Sequence, residues 1–384
     1  MKHKLLAALA ALSLLLPACA PAPEESPTQP ALSTQPVTEA PAPLSAPEPE
    51  PAAAELLLSS MTLSEKVGQL FLACCPAEDA AQKAAEWHLG GYVLFARDFE
   101  NKTADQVRAM TDAYQDAVRV PLLLAVDEEG GTVTRVSRFP ALRESKFLSP
   151  QKLFAGGGME AIAADTLEKC GLLSSLGLNV NLAPVCDVST DPNSFIHART
   201  FGQGPEETAQ YVRTVVEIMA DQKMGAALKH FPGYGDNADT HTGMAFDDRS
   251  YTEYLARDFV PFRSGIEAGA HMVMVSHNVV ASMDPDFPAS LSPAVHEILR
   301  EELGFEGVIV TDDLTMDGIQ DFTDAPTAAV AAIQAGNDLL LCSDFETQIT
   351  AVLDALADGT LTEEQIDEHA LRVLTMKEHL GLLG

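Results

Sequence analysis

The chain has 384 residues, of which 46% are hydrophobic, with 24 basic against 56 acidic residues and a formal net charge of −32. A surface this acidic excludes a nucleic-acid partner, because gripping phosphates needs a basic face, and otherwise bears on solubility. The hydrophobic share is enough to bury the core of one large domain.

The N-terminus opens with Lys2 and Lys4, then runs through Leu and Ala from residue 5 to 16 with one break at Ser13. That run is shorter than the ~20 apolar residues a membrane-spanning helix needs. A charged start, a short apolar run and a small residue before a cleavage point describe a secretory signal. The run ends Leu16-Pro17-Ala18-Cys19, which resembles the lipobox of bacterial lipoproteins. The resemblance makes residues 1–19 a signal peptide, Cys19 the lipidated first residue of the mature chain, and the lipid a membrane anchor on the extracytoplasmic face. An ordinary signal peptide with an incidental cysteine is the alternative, and export follows from both. Residues 20–54 are almost all Pro, Ala, Glu, Ser and Thr, without an aromatic residue. Such a stretch buries too little to offset chain entropy and stays extended, which makes it a tether.

From residue 55 to 384 short apolar runs alternate with longer amphipathic ones. The apolar runs are 70–74, 92–95, 122–126, 180–185, 226–228, 272–275, 308–310 and 339–341; helical patterning covers 103–118, 206–223, 293–303 and 362–380. Eight strands alternating with helices predict parallel βα units closing as one (β/α)₈ barrel of the TIM type. A doubly wound open sheet competes, but no Gly-rich dinucleotide fingerprint follows the first strand. Cys74, Cys75, Cys170, Cys186 and Cys342 lie mostly in apolar stretches without paired metal-ligand spacing, so they read as small buried hydrophobes.

A barrel places its chemistry just past the C-terminal ends of its strands. Asp127-Glu128-Glu129-Gly130-Gly131 follows the third apolar run, and Asp187 and Arg199 the fourth. Lys229-His230 closes the fifth, Ser276-His277-Asn278 follows the sixth and Asp312-Asp313 the seventh. Any one aspartate here can be a helix cap. Repetition around the ring points instead to a small polar ligand and to chemistry that moves protons or stabilises positive charge.

Five ordered segments carry a closer likeness: AVDEEGG (125–131), APVCDV (183–188), ARTFG (198–202), KHFPGYGDNADTH (229–241) and VTDDLTMDGI (310–319). From about residue 55 to the C-terminus they resemble glycoside hydrolase family 3 and, within it, the single-domain bacterial β-N-acetylglucosaminidases. The resemblance implies a cofactor-free, metal-free, monomeric enzyme that releases terminal β-linked N-acetylglucosamine (GlcNAc) from peptidoglycan fragments or related glycans. It makes Asp312 the nucleophile of a retaining reaction, with a glycosyl-enzyme intermediate. His241 becomes the acid/base group, a task suited to a side chain that titrates near neutral pH, and Asp239 orients it. Asp127, Arg199, Lys229 and His230 match sugar-binding positions, and the last three place positive charge near Asp312; a buried ion pair with barrel aspartates is the alternative for Lys229 and His230. Asp313 reads as a turn residue, Asp187 as either a staple or a ligand, and His277 and Met316 as pocket walls. Tyr234, Glu128 and Thr132 depart from residues frequent in the family (His, Gln and Arg), which implies altered subsite contacts.

Other readings make different demands. A family 3 β-glucosidase shares Lys229-His230 and Asp312 but generally draws its acid/base carboxylate from a second domain. A catalytically inactive glycan-binding lipoprotein has no need of Asp312, Asp239 and His241 together. A metal hydrolase needs a spacing such as HExxH, which does not occur.

Overall fold

A computed structural model of the chain describes residues 52–235 and 244–383. Eight strands form one parallel sheet: β1 (Phe71–Cys74), β2 (Gly91–Leu94), β3 (Leu123–Val126), β4 (Val180–Asn181), β5 (Gly225–Phe231), β7 (Met272–Val275), β9 (Val308–Thr311) and β10 (Leu340–Cys342). Two further short strands, β6 (Phe246–Asp247) and β8 (Val279–Val280), pair with each other in parallel outside that sheet. The sheet closes on itself. β10 pairs with β1 in the register Phe71↔Leu340, and the seam to β9 is sewn by the N–H groups of Leu339 and Thr311 bonding to Ile309 and Leu339 carbonyls at 3.1 Å each. The (β/α)₈ barrel expected from the apolar runs is therefore the fold, and all eight runs are its strands.

The runs read as continuously apolar because both faces of each strand are covered. Leu72, Val93, Leu123, Met272, Val308 and Leu341 turn inward and form one buried cluster. Their neighbours Phe71, Tyr92, Leu124, Val273, Ile309 and Leu340 face outward into the layer beneath the helices. Helix starts follow local chemistry: Thr103, Ser149 and Thr362 each accept a backbone N–H from the third residue of their helices, a contribution of about 1 kcal/mol apiece. The predicted helix over 293–303 begins as an α-helix at Pro293–Glu297 and widens into a π-turn over Ile298–Glu302. The fourth strand is shorter than expected, ending at Asn181. Pro184 has no N–H for the ladder, and pairing resumes as a single bridge between Val185 and Lys229.

The last helix, Glu363–His379, plugs the end of the barrel opposite the functional loops: Val373, Met376 and Leu380 join the interior cluster. Lys377 lies there fully buried, its Nζ donating to Gln69 Oε1 at 2.6 Å. Burial pulls this amine down to about 7, well under the ~10.4 of an unfolded lysine. Between those values the unfolded chain holds the extra proton, so stability falls as pH drops from 10 to 7. Lys377→Met is expected to stabilise the fold by about 2 kcal/mol at pH 7, net of the lost bond to Gln69. Thermal melts should show that gain shrinking toward pH 10; a variant less stable at every pH refutes this account.

Candidate active site

The strand ends opposite that plug surround a cavity of about 380 Å³ lined in part by Asp127, Arg199, Lys229, His230, Asp312 and Met316. All four expected sugar-binding residues and the expected nucleophile thus share one space, of a size suited to a small ligand.

Lys229 is the hub of its charge. Its Nζ donates to Asp127 Oδ1 and lies against Glu129 Oε1, both at 2.7 Å, and the side chain is almost wholly buried. Burial alone would lower the ammonium's pKa, but the two carboxylates outweigh it and hold Lys229 above the ordinary lysine value. Glu129 also takes a two-pronged hydrogen bond from Arg199, Nε to Oε2 at 3.1 Å and Nη2 to Oε1 at 2.8 Å. Burial pushes the Glu129 carboxyl up, yet Lys229 and Arg199 together hold it well below the usual carboxylate range. Arg199 is likewise held above its normal value, Glu129 outweighing burial. Sequence reasoning missed Glu129. The available signal was alternation: residues two apart on an extended segment point the same way, so Glu129 follows Asp127 inward.

His230 is gripped from both sides. Its Nδ1 donates to Asp187 Oδ2 at 2.7 Å, and its Nε2 accepts from Arg199 Nη2 at 3.1 Å. Asp187 also accepts the backbone N–H groups of His230 and Tyr234, at 3.1 and 2.8 Å. Asp187 is therefore a staple between β4 and β5, which resolves its two readings. Burial raises its carboxyl, but His230 outweighs this and the shift is downward. Adjacent residues Lys229 and His230 both reach the cavity because the β5–β7 register shifts between Leu228 and Phe231, breaking the usual in-out alternation.

The loop after β3 is organised from behind by Glu128. This fully buried carboxylate accepts the N–H groups of Arg135, Val136 and Ser137 and the Ser137 hydroxyl. The turn needs its two glycines: Gly130 and Gly131 have φ of +99° and +66°, and a Cβ on Gly130 would stand 2.2 Å from the Leu148 carbonyl oxygen. The loop carries Arg135 to the cavity, its Nη2 3.6 Å from Asp127 Oδ2.

Asp312 sits one residue past β9, its N–H bonded to the Val275 carbonyl at 2.9 Å. Its neighbour is engaged elsewhere. Asp313 Oδ1 accepts the N–H and hydroxyl of Thr315 at 2.9 and 2.8 Å, the turn role expected of it. His277 is not a cavity wall: fully buried, it accepts from the Ser290 hydroxyl and donates from Nε2 to the Asp313 carbonyl at 3.0 Å, supporting the turn from behind. Met316 does line the cavity.

Asp239 and His241, the expected acid/base pair, lie outside the described residues, as does Cys19. The flanks of that segment are tied down at the mouth. On one side Arg249 Nη2 donates to the Gly233 carbonyl at 2.9 Å; on the other the Val279 N–H bonds to the Ala245 carbonyl at 2.8 Å. Arg249 also pairs with both Asp247 and Asp258. One guanidinium shared by two carboxylates leaves burial dominant at Asp258, whose acid is pushed up to about 7. The five described cysteines are all buried, and burial pushes the thiols of Cys74 and Cys75 up to about 12. Among the described residues no group of three or more His, Cys, Asp or Glu is placed to hold a metal ion.

A closed (β/α)₈ barrel with carboxylates and cations converging at its C-terminal mouth is the architecture of a barrel enzyme with a site for a small polar ligand. The comparison with known proteins makes the class definite: the model of the glycosyl hydrolase family 3 N-terminal domain matches residues 62–376, and the chain belongs to that family of glycoside hydrolases. A Beta-hexosaminidase of Stenotrophomonas maltophilia is 36% identical over 305 residues, covering 77% of this chain and 84% of that protein. Beta-hexosaminidase A of Pseudoalteromonas piscicida is 31% identical over 333 residues, covering 79% of this chain, which in turn spans 55% of that longer protein. Among solved structures, a family 3 β-N-acetylglucosaminidase from a Paenibacillus species superimposes with a TM-score of 0.78 at 32% identity, over 84% of this chain and 63% of that one.

Proposed function

We propose that the chain is a retaining exo-β-N-acetylglucosaminidase. The observation that carries this reading is the placement of Asp312 on the wall of a small closed-ended cavity, alongside Asp127, Arg199 and the buried Lys229. A cavity that ends in the barrel core suits a terminal sugar. Asp127 accepts hydroxyl protons, Arg199 and Lys229 keep the polar wall charged, and the Asp312 carboxylate attacks the anomeric carbon to form a glycosyl-enzyme. His241 protonates the departing oxygen and later takes a proton from water, with Asp239 orienting its ring. The names of the relatives support the acetamido sugar as substrate. Peptidoglycan fragments are the proposed source of that sugar, and Cys19 the proposed lipid attachment point on an exported chain.

The decisive comparison is p-nitrophenol release from the β-N-acetylglucosaminide and the β-glucoside near neutral pH. The proposal expects the acetamido sugar to be preferred by on the order of 100-fold or more in kcat/KM. Preference for the glucoside hands the site to a β-glucosidase. Turnover of neither, in folded protein, leaves an aglycone-dependent enzyme or a glycan-binding lipoprotein.

A further inference from the structure

One charged cluster stands beside the mouth without a part in the sugar site. Arg249, whose side chain is 18% exposed, has every guanidinium nitrogen engaged. Its Nε donates to Asp247 Oδ2 at 2.9 Å and its Nη1 to Asp258 Oδ2 at 2.7 Å. Its Nη2 donates to Asp247 Oδ2 at 2.8 Å and to the Gly233 carbonyl at 2.9 Å. The guanidinium lies 4.3 Å over the Tyr254 ring and against Gly235, where a Cβ would stand 2.5 Å from its central carbon. Both carboxylates are buried. Charges buried together add little net stability, since desolvation offsets their attraction. What a planar fan of donors adds is direction.

Direction matters because of what the cluster joins. Gly233 and Gly235 lie on the chain leaving β5, and Asp247 stands on β6, where the chain returns. The peptide group between Gly233 and Tyr234 is held at both ends: its carbonyl by Arg249, its N–H by Asp187 Oδ1 at 2.8 Å. Asp187 in turn grips His230, which lines the catalytic cavity. On the returning side the Asp247 carbonyl accepts the Ala281 N–H at 2.9 Å, where β6 meets β8. Arg249 therefore ties the outgoing and returning stems to each other and, through that peptide group and Asp187, to the cavity wall. The chain between the stems carries Asp239 and His241, with His241 six residues past Gly235 and three before Met244. A proton donor works only within hydrogen-bond reach of the oxygen it serves, so the placing of the stems bears on its task.

We propose that Arg249 is a positioning residue for the acid/base step: it clamps the two stems together and so sets where His241 meets the departing oxygen. The proposal rests on the glycosidase reading, in which His241 gives that oxygen its proton and later takes one from water. Arg249 itself is not among the residues lining the cavity. Sugar binding and the attack by Asp312 draw on other strand ends, those of β3 and β9. Loss of the clamp therefore weakens what depends on the proton and spares what does not.

Two substrates that share the sugar and differ in the leaving group separate this role from a structural one. The second sugar of GlcNAc β-1,4-linked to GlcNAc departs as an alcohol and needs the proton. The phenolate of 2,4-dinitrophenyl N-acetyl-β-glucosaminide leaves without it. Arg249→Lys keeps a charge beside Asp247 and Asp258 but lacks the planar fork. It is expected to lower kcat/KM by on the order of 100-fold for the disaccharide and by less than about threefold for the dinitrophenyl glycoside. Its kcat on the dinitrophenyl glycoside, limited by the attack of water, should fall and recover with added azide, a nucleophile that needs no base. The ratio of the two kcat/KM values does not depend on the folded fraction. Should the variant not fold at all, Asp247→Asn/Arg249→Met/Asp258→Asn, which removes the whole charge cluster, carries the same comparison. Equal losses on both substrates, or no loss on either, overturn the proposal. If the wild type cleaves neither, the glycosidase reading falls, and hydrogen exchange decides the clamp. Peptides spanning residues 232–248 should then exchange about tenfold faster in Arg249→Lys; an unchanged rate removes the clamp as well.

Discussion

Replacing Asp312 by alanine is expected to reduce hydrolysis of an aryl β-N-acetylglucosaminide by on the order of 10⁴-fold or more, with the melting temperature near that of the wild type. The size follows from the role: without the carboxylate no covalent intermediate forms, and no other described carboxylate on the cavity wall is free to replace it. Asp127 is held by Lys229, and Asp313 is turned to Thr315. The backbone N–H bond from Asp312 to the Val275 carbonyl is kept by alanine, while the bond that Asp312 Oδ1 accepts from the Asp313 N–H at 2.9 Å is lost, so the expected fall in melting temperature is small. The competing chemistry uses the substrate's own acetamido group as nucleophile. A fluorinated sugar that traps the enzyme should label Asp312; an oxazoline intermediate with Asp312 unlabelled would falsify the covalent route. Loss of fold in the variant would be read from circular dichroism before any kinetic conclusion is drawn.

The largest stability effect is expected at a residue that performs no bond chemistry. Glu129→Gln removes the carboxylate that Lys229 and Arg199 share inside the barrel mouth, leaving Lys229 its bond to Asp127 and Arg199 the electrostatic pull of Asp127 and Asp187. Breaking a buried pair in this way costs about 3–5 kcal/mol, and sugar affinity should fall with it as the cations shift. The pH dependence has a definite sign. Glu129 in the fold ionises below its unfolded value, so its contribution is complete above the unfolded pKa of ~4.3 and is lost as pH falls toward the folded value. Wild type and variant melts should therefore differ most at pH 6–8 and draw together below pH 4. A constant difference across that range would mean that Glu129 acts by shape and not by charge.

Much of this molecule was legible in its sequence because a parallel barrel writes its strands plainly. Each is buried on both faces, so each is an apolar run bounded by polar loops, and all eight runs are strands. Asp312, Asp127, Lys229, His230 and Arg199 were legible because the chemistry of a barrel sits at strand ends, and the five segments gave each a role to be tested. What escaped was set by pairings between distant loops. Glu129 looked like one acidic residue among three in a row, and its function shows only once Arg199, 70 positions later, and Lys229 are seen to share it. The β6–β8 ladder is two residues wide, too short for any periodicity. His277 reads as a wall residue until Ser290 and the Asp313 carbonyl are seen to claim both ring nitrogens.

The way the barrel closes has a consequence for when it can form. Phe71 pairs with Leu340, and Glu378 accepts the N–H groups of Ala53 and Ala54 at 3.2 Å each. The first and last parts of the domain are thus mutual partners, separated by almost its whole length. A growing chain exposes one edge of β1 and the latest strand's outer edge until residue 342 has emerged, and its interior lacks a floor until the final helix arrives. Contacts this distant in sequence are slow to form, and open strand edges invite mispairing. Completion only when the last helix of the domain has emerged makes it an all-or-nothing product, so deletion of that helix should yield aggregate and not a barrel with weakened activity.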